Sequence, residues 1–193
     1  MKKDLTATAV GLIVLTLVLG LLYPLAVTGV GQVVFNDAAN GSQIRVDGKV
    51  VGSRLLGQGF SRAEYFHSRP SQSDYNPSAT FFSNAGPNGA DTRDAIARYA
   101  AAYLKTEGRY DPGLTRAQIP PDAVQTSASG VDPQITVANA RIQAHRIAAV
   151  RRLPLDRVNR LIDDHTDGRG LGLFGEPGVN VLELNLALDK ETR

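Results

Sequence analysis

Two closely spaced serines, three histidines and one glycine-rich run are the residues whose types and spacing invite chemistry. Ser127-Ala128-Ser129-Gly130-Val131-Asp132-Pro133 carries two hydroxyls two positions apart. A serine becomes a nucleophile when a base takes its proton, and the strand-to-helix elbow that exposes it reads Gly-x-Ser-x-Gly. This segment has neither that elbow nor an identifiable base. Hydroxyls folding a turn ahead of a Thr136 helix cap account for it without chemistry. Gly170-Leu171-Gly172-Leu173-Phe174-Gly175 has the letters of a dinucleotide fingerprint. That motif sets pyrophosphate on a helix N-terminus, whereas Glu176-Pro177-Gly178 and a strand-like segment follow here, so a loop is expected. His67, His145 and His165 are far apart, and neither they nor the carboxylates have metal-ligand spacing on one helix. His145, amid Arg141, Arg146 and Arg151, is assigned a solvated or interface position. His165 is assigned to a helix C-terminus, and Asp163-Asp164 to a charged helical face.

Other chemistry is excluded by what the chain does not contain. It has no Cys, which removes disulfides, thiolate catalysis and Cys-bound metal together. There is no Gly-x-x-x-x-Gly-Lys-Ser/Thr loop and no Asp-Lys-Thr-Gly-Thr phosphorylation segment, so the chain alone is not a recognisable ATPase. The sequence pI is near 9.0, yet setting Lys2, Lys3 and Asp4 aside from 21 Lys+Arg and 19 Asp+Glu leaves 19 against 18. No basic patch argues for nucleic acid.

Whatever these residues do, the first element decides where they do it. After Met1-Lys2-Lys3-Asp4, the 32 residues from Leu5 to Asn36 carry no formal charge. About 20 apolar residues cross the hydrocarbon core as a helix, so this run predicts a retained single-pass anchor over residues 1–36. A cleaved signal peptide is the competing reading, but its apolar core runs to only ~7–15 residues and no clear small-x-small site follows. Lys2 and Lys3 precede the run and the next basic residue is Arg45, which places the N-terminus in the cytoplasm and residues 37–193 outside. Tyr23-Pro24 predicts a kink or an exit into the interface.

Residues 37–193 are expected to form one extracytoplasmic α+β domain. Asp47-Gly48 between Ile44–Val46 and Lys49–Val51 predicts a type I′ hairpin. His67 to Ala90, rich in Pro, Ser, Asn and Gly with aromatics in and beside it, predicts a long ordered loop. Helices are expected over Asp91–Glu107 (Asp91 as cap), from a Thr136 cap to about Arg152, and over Asp156–His165 after Pro154. Alternating Leu182, Leu184, Leu186 and Leu188 predict that Val179–Leu188 is a strand, possible as the central one.

Three segments together resemble one family. They are Tyr65-Phe66-His67-Ser68-Arg69-Pro70 with Ser83-Asn84; Ser127 to Thr136 followed by Gln143-Ala144-His145-Arg146-Ile147-Ala148; and Val179-Asn180-Val181-Leu182-Glu183-Leu184-Asn185. In this order, behind an uncleaved helix, they are similar to the C subunit of the Kdp-type potassium-transporting ATPases. The resemblance implies a non-catalytic accessory subunit in the cell (inner) membrane. Its partners would be a channel-like potassium-binding subunit and a P-type ATP-hydrolysing subunit, which handle the potassium and ATP. It also implies a need for this chain in assembly, and a catalytic-chaperone role that raises the ATP affinity of the hydrolysing subunit. With the domain outside, any such effect on ATP is indirect. The motif positions carried over as interface or family residues are Phe66, Arg69, Pro70, Ser83, Asn84, Ser127, Ser129, Gly130, Asp132, Pro133, Gln143, Arg146, Asn180, Val181, Leu184 and Asn185. The alternative is a membrane-anchored periplasmic hydrolase using Ser127 or Ser129.

Overall fold

A computed structural model describes residues 2–79 and 84–191. It divides into two compact units, Met1–Val51 and Gly52–Arg193. The first begins with one continuous helix, Lys2–Val34, of 33 residues with no part of its apolar stretch buried. At ~1.5 Å per residue it is roughly 50 Å long, more than the ~30 Å hydrocarbon core. The helix neither ends nor breaks at Pro24. Helix α1 (Lys2–Leu17) passes through a π-helical turn, Val18–Leu22, into α2 (Tyr23–Val34), which has proline in its first turn. The Tyr23 N–H donates to Val18 O, one residue further back than in an α-helix. A proline has no N–H for the carbonyl four residues behind it and its ring crowds that carbonyl; a widened turn accommodates both effects. A short helix α3 (Asn36–Ala39) and the hairpin of β1 (Gln43–Val46) and β2 (Lys49–Ser53) follow. Asp47 and Gly48 have φ of 50° and 76°, the pair that a type I′ turn requires.

The second unit contains helices α4 (Ala90–Glu107), α5 (Val137–Arg151), α6 (Leu155–Asp164) and α7 (Val181–Glu191), with strands β3 (Gln134–Thr136), β4 (Thr166–Asp167) and β5 (Gly178–Asn180). The sheet is antiparallel in the order β3-β5-β4, with Ile135 opposite Val179 and Thr166 also opposite Val179. The last strand is therefore central. Helices α5, α6 and α7 enclose the main core of Phe66, Ile135, Ile147, Val158, Ile162, Val179, Val181, Leu184 and Leu188. A smaller cluster joins Ile96, Tyr99, Ala100 and Tyr103 of α4 to Ile119, Ala123 and Val124.

Local signals explain most boundaries. Thr136 Oγ1 accepts from Asn139 N (3.1 Å) and starts α5 as expected, and Arg152 ends it with φ of 57°. Pro154 opens α6, and His165 closes it. Helix α4 starts one residue earlier than expected, with Gly89 rather than Asp91 at the cap position. The C-terminal expectation was wrong: only Gly178–Asn180 is strand, and the leucines lie on a helix. Asn180 Oδ1 accepts from Glu183 N (3.1 Å), so Asn180 caps α7. Val181, Leu184, Asn185 and Leu188 are then buried at three-and-four spacing. Asn180 followed three residues on by Glu183 was a capping signal that the leucine alternation obscured.

Candidate functional site

The polar residues of the second unit converge on one stretch of irregular backbone, residues 62–75. Arg146 on α5 has a side chain with 1% exposure and donates from Nε to both carboxylate oxygens of Glu107 (3.0 and 3.1 Å), itself 2% exposed at the end of α4. The same guanidinium donates to Ala63 O, to Tyr65 O (2.8 Å) and to Gln143 Oε1 (2.9 Å). Gln143, one turn away, accepts from His67 N (2.7 Å) and donates to His67 O (3.0 Å). From α7, Asn185 does the same to the preceding residue, accepting from Phe66 N (2.8 Å) and donating to Phe66 O (3.0 Å). Arg151 donates to Glu64 O (2.8 Å) and pairs with Asp189 (2.7 Å), which also accepts from Tyr65 Oη (3.1 Å). Phe66 is thereby held at 0% exposure in the core although its backbone belongs to no helix or strand. Buried backbone groups need partners, and side-chain amides and guanidinia supply them here in place of a strand.

A second tier extends this network. Asn139 accepts from Tyr103 Oη (2.8 Å) and Gln143 Nε2 (3.0 Å), and donates to Asp122 (2.9 Å). Asp122 also accepts from Thr136 N and Oγ1 (2.9 and 2.8 Å). A pocket of about 250 Å³ lies over this floor, bordered by His67, Tyr99, Tyr103, Glu107 and Gln143. Burial raises the pKa of Glu107 against the opposing pull of Arg146. Burial, reinforced by Arg146, lowers that of His67. The Tyr103 phenol is pushed up, mainly by burial and further by Glu107 and Asp122. Because a carbonyl only accepts, the contact between His67 Nε2 and Arg62 O (3.1 Å) fixes Nε2 as the protonated nitrogen of the neutral ring.

The serine segment docks on the far end of the same loop. Gly130 N donates to Ser127 Oγ (2.9 Å) and Val131 N to Ser129 Oγ (3.2 Å), while the two hydroxyls lie 3.3 Å apart. Gly130 O accepts from Ser71 Oγ (2.6 Å), and Gly130 itself has φ of 71°, where a side chain would also strike Ser73. Gly57 N donates to Val131 O (2.7 Å), and a Cβ at Gly57 would collide with the Asp132 carbonyl. Arg69 pairs with Asp132 (2.8 Å), whose other oxygen accepts from Gln134 N (3.0 Å). Both serines are occupied as turn-forming acceptors, and no hydrogen bond joins either to a histidine or a carboxylate among the described residues. The hydrolase alternative has no support in this geometry.

The motif positions thus fall into distinct places. Phe66, Gly130, Gln143, Arg146, Asn180, Val181, Leu184 and Asn185 are buried. Arg69, Pro70, Ser127, Asp132 and Pro133 are half-buried, Asn84 and Ser129 are exposed, and Ser83 lies outside the described residues, as do Phe81 and Phe82. Arg146 in particular leaves the arginine-rich face of α5 for the interior, while His145 beside it is half-buried. Sequence reasoning did not find Glu107, Asp122, Asn139, Arg151 or Asp189. Asn139, Gln143 and Arg146 at four-and-three spacing were the legible trace, a polar stripe that is buried rather than solvated. No group of three or more His, Asp or Glu that could hold a metal occurs among the described residues.

Fold and site define a chain with one apolar helix long enough to span a bilayer and an α+β unit whose buried polar groups hold its own backbone. The family described as KdpC, K+-transporting ATPase, c chain, matches residues 5–190. Curated relatives agree over nearly full length. The chain is 47% identical to the potassium-transporting ATPase KdpC subunit of Mycobacterium tuberculosis (strain H37Rv), over 98% of this chain and 100% of the relative. It is 50% identical to the KdpC subunit of Caulobacter vibrioides (98% and 94%) and 44% identical to that of Koribacter versatilis (98% and 95%). The chain belongs to the KdpC family of potassium-transporting ATPase subunits.

Proposed function

We propose that this chain is the accessory subunit of a high-affinity, ATP-driven potassium uptake complex and catalyses no reaction by itself. In this reading it is held in the inner membrane by its N-terminal helix, with the N-terminus cytoplasmic and residues 37–193 outside. One observation carries the reading: an unburied apolar helix is joined to a unit in which the buried Arg146, Glu107, Gln143 and Asn185 are engaged in internal hydrogen bonds. Such an interior makes a rigid docking body rather than a reaction centre. Its partners are the channel-like potassium-binding subunit and the P-type ATP-hydrolysing subunit, which handle potassium and ATP. The chain is needed for their assembly, and it raises the ATP affinity of the hydrolysing subunit through the assembled complex rather than by touching nucleotide.

Deleting residues 37–193 while keeping the helix tests this. Growth at micromolar external potassium should be lost and growth at high potassium retained. Uptake supported by the helix alone overturns the reading. Protease added to intact spheroplasts should digest residues 37–193, and protection there overturns the topology.

A further inference from the structure

The loop between β4 and β5 ends in an apolar tip that nothing in the proposed role uses. Gly170 and Phe174 exchange backbone hydrogen bonds (Gly170 N to Phe174 O, 2.8 Å; Phe174 N to Gly170 O, 2.9 Å), closing a tight hairpin. At its turn Leu171 and Gly172 both have positive φ, 51° and 75°. Leu171, Leu173 and Phe174 are 91%, 78% and 67% exposed. An L-residue in the left-handed region is strained, and Asn or Gly would take Leu171's place more readily. Here that strained position presents an apolar side chain to solvent. The base of the hairpin is closed by the Arg169–Glu176 ion pair (2.8 Å).

We propose that this tip is a second membrane contact, inserting Leu171, Leu173 and Phe174 shallowly into the lipid surface to which the chain is already tethered. The proposal rests on reading Lys2–Val34 as a membrane anchor. Three observations favour lipid over a protein partner. The tip's three side chains present on the order of 400 Å², below the roughly 600–800 Å² that each partner of a stable protein interface buries. Shallow insertion needs no such area when a tether already keeps the domain near the bilayer. Four backbone N–H groups of the tip are paired within it: Gly170 and Phe174 pair both ways, Leu173 N donates to Gly170 O, and Gly172 N to Arg169 O. Each N–H paired inside the tip is one fewer that loses water on entry into lipid, and shallow insertion leaves the turn carbonyls within reach of headgroup water. Arg169 and Glu176 flank the turn in sequence and pair with each other, so shallow insertion of residues 171–174 can leave their charges in the headgroup layer.

The chain has no cysteine, so single labels can be placed freely. Full-length chain carrying Leu171→Cys, Lys105→Cys or Val14→Cys, each with a polarity-sensitive fluorophore, is reconstituted alone in phosphatidylethanolamine–phosphatidylglycerol vesicles containing shallow nitroxide lipids. The label at 171 should be blue-shifted and quenched several-fold more than the label at 105. A label at 171 as solvated as that at 105 overturns the proposal. So does one that becomes dry only when the other ATPase subunits are added, which places a protein on the tip. The label at 14 should be lipid-quenched in every case; if it is not, the anchor reading fails by itself and this proposal with it. Adding Phe174→Ser to Leu171→Cys should abolish the shift with the melting temperature unchanged. An unchanged shift shows that the dye alone seeks lipid and also overturns the proposal.

Discussion

Gln143 on α5 and Asn185 on α7 bind consecutive residues of the same loop in the same way. Each side-chain amide accepts from one backbone N–H and donates to the carbonyl of that residue, Gln143 with His67 and Asn185 with Phe66. Two helices far apart in sequence thus act as stand-ins for two neighbouring strands. The loop is fixed in register, because a shift by one residue would break all four bonds and lift Phe66 from the core.

Asn185→Ala leaves the buried N–H and C=O of Phe66 unpaired, at about 1–3 kcal/mol for each group. The variant should lose roughly 3 kcal/mol of stability. Gln143→Ala should cost at least as much, because it also removes the partner of a buried Arg146 N–H and a donor to buried Asn139. Both can be read by chemical unfolding of the full chain in detergent. The double variant should lose less than the sum, since the first loss already frees the loop.

Arg146→Met removes one partner of a buried pair and should cost about 3–5 kcal/mol. Arg146→Met combined with Glu107→Leu should be distinctly less damaging than Arg146→Met alone. Equal losses from the single and double variants would show that Arg146 works only through the loop carbonyls.

The pH dependence of these two groups has opposite signs. Burial and Arg146 lower the pKa of His67, so the unfolded chain binds more protons at that site. Its contribution is present above the ordinary imidazole value of about 6.5 and is lost as pH falls through the lowered folded value. His67→Gln should flatten that acid limb of the unfolding midpoint. Glu107 is raised by burial with Arg146 opposing. In Arg146→Met the opposing pull is gone, and stability should instead fall as pH rises from the ordinary carboxylate range through the folded Glu107 value.

Leu171→Asn replaces a strained left-handed leucine with a residue that tolerates that conformation. Stability should rise by about 0.5–1 kcal/mol. A drop in melting temperature would mean that Leu171 has packing within the fold.

Ser129→Ala removes the acceptor for Val131 N and should cost about 1 kcal/mol. Potassium uptake by the assembled complex should persist. A loss of several orders of magnitude with normal assembly contradicts the structural role of this serine.

The sequence by itself determined what short-range physics decides. An uncharged run of 32 residues forms a helix long and apolar enough to cross a bilayer, whatever the rest of the chain does. Asp47-Gly48 requires its turn, Thr136 its cap and Pro154 its helix start, because each acts on backbone within a few residues. Pro24 and Asn180 show the margin of that reach: the π turn that absorbs one and the helix cap formed by the other are local, yet each competed with a second pattern in the same residues. Only the tertiary structure decided the polar interior. Arg146 reads as one more charge on a basic helix until Glu107, 39 residues earlier, and the Ala63 and Tyr65 carbonyls arrive beside it. Desolvating a guanidinium is unfavourable alone and tolerable once every nearby acceptor is aimed at it, and that condition depends on chain segments whose meeting no local pattern encodes.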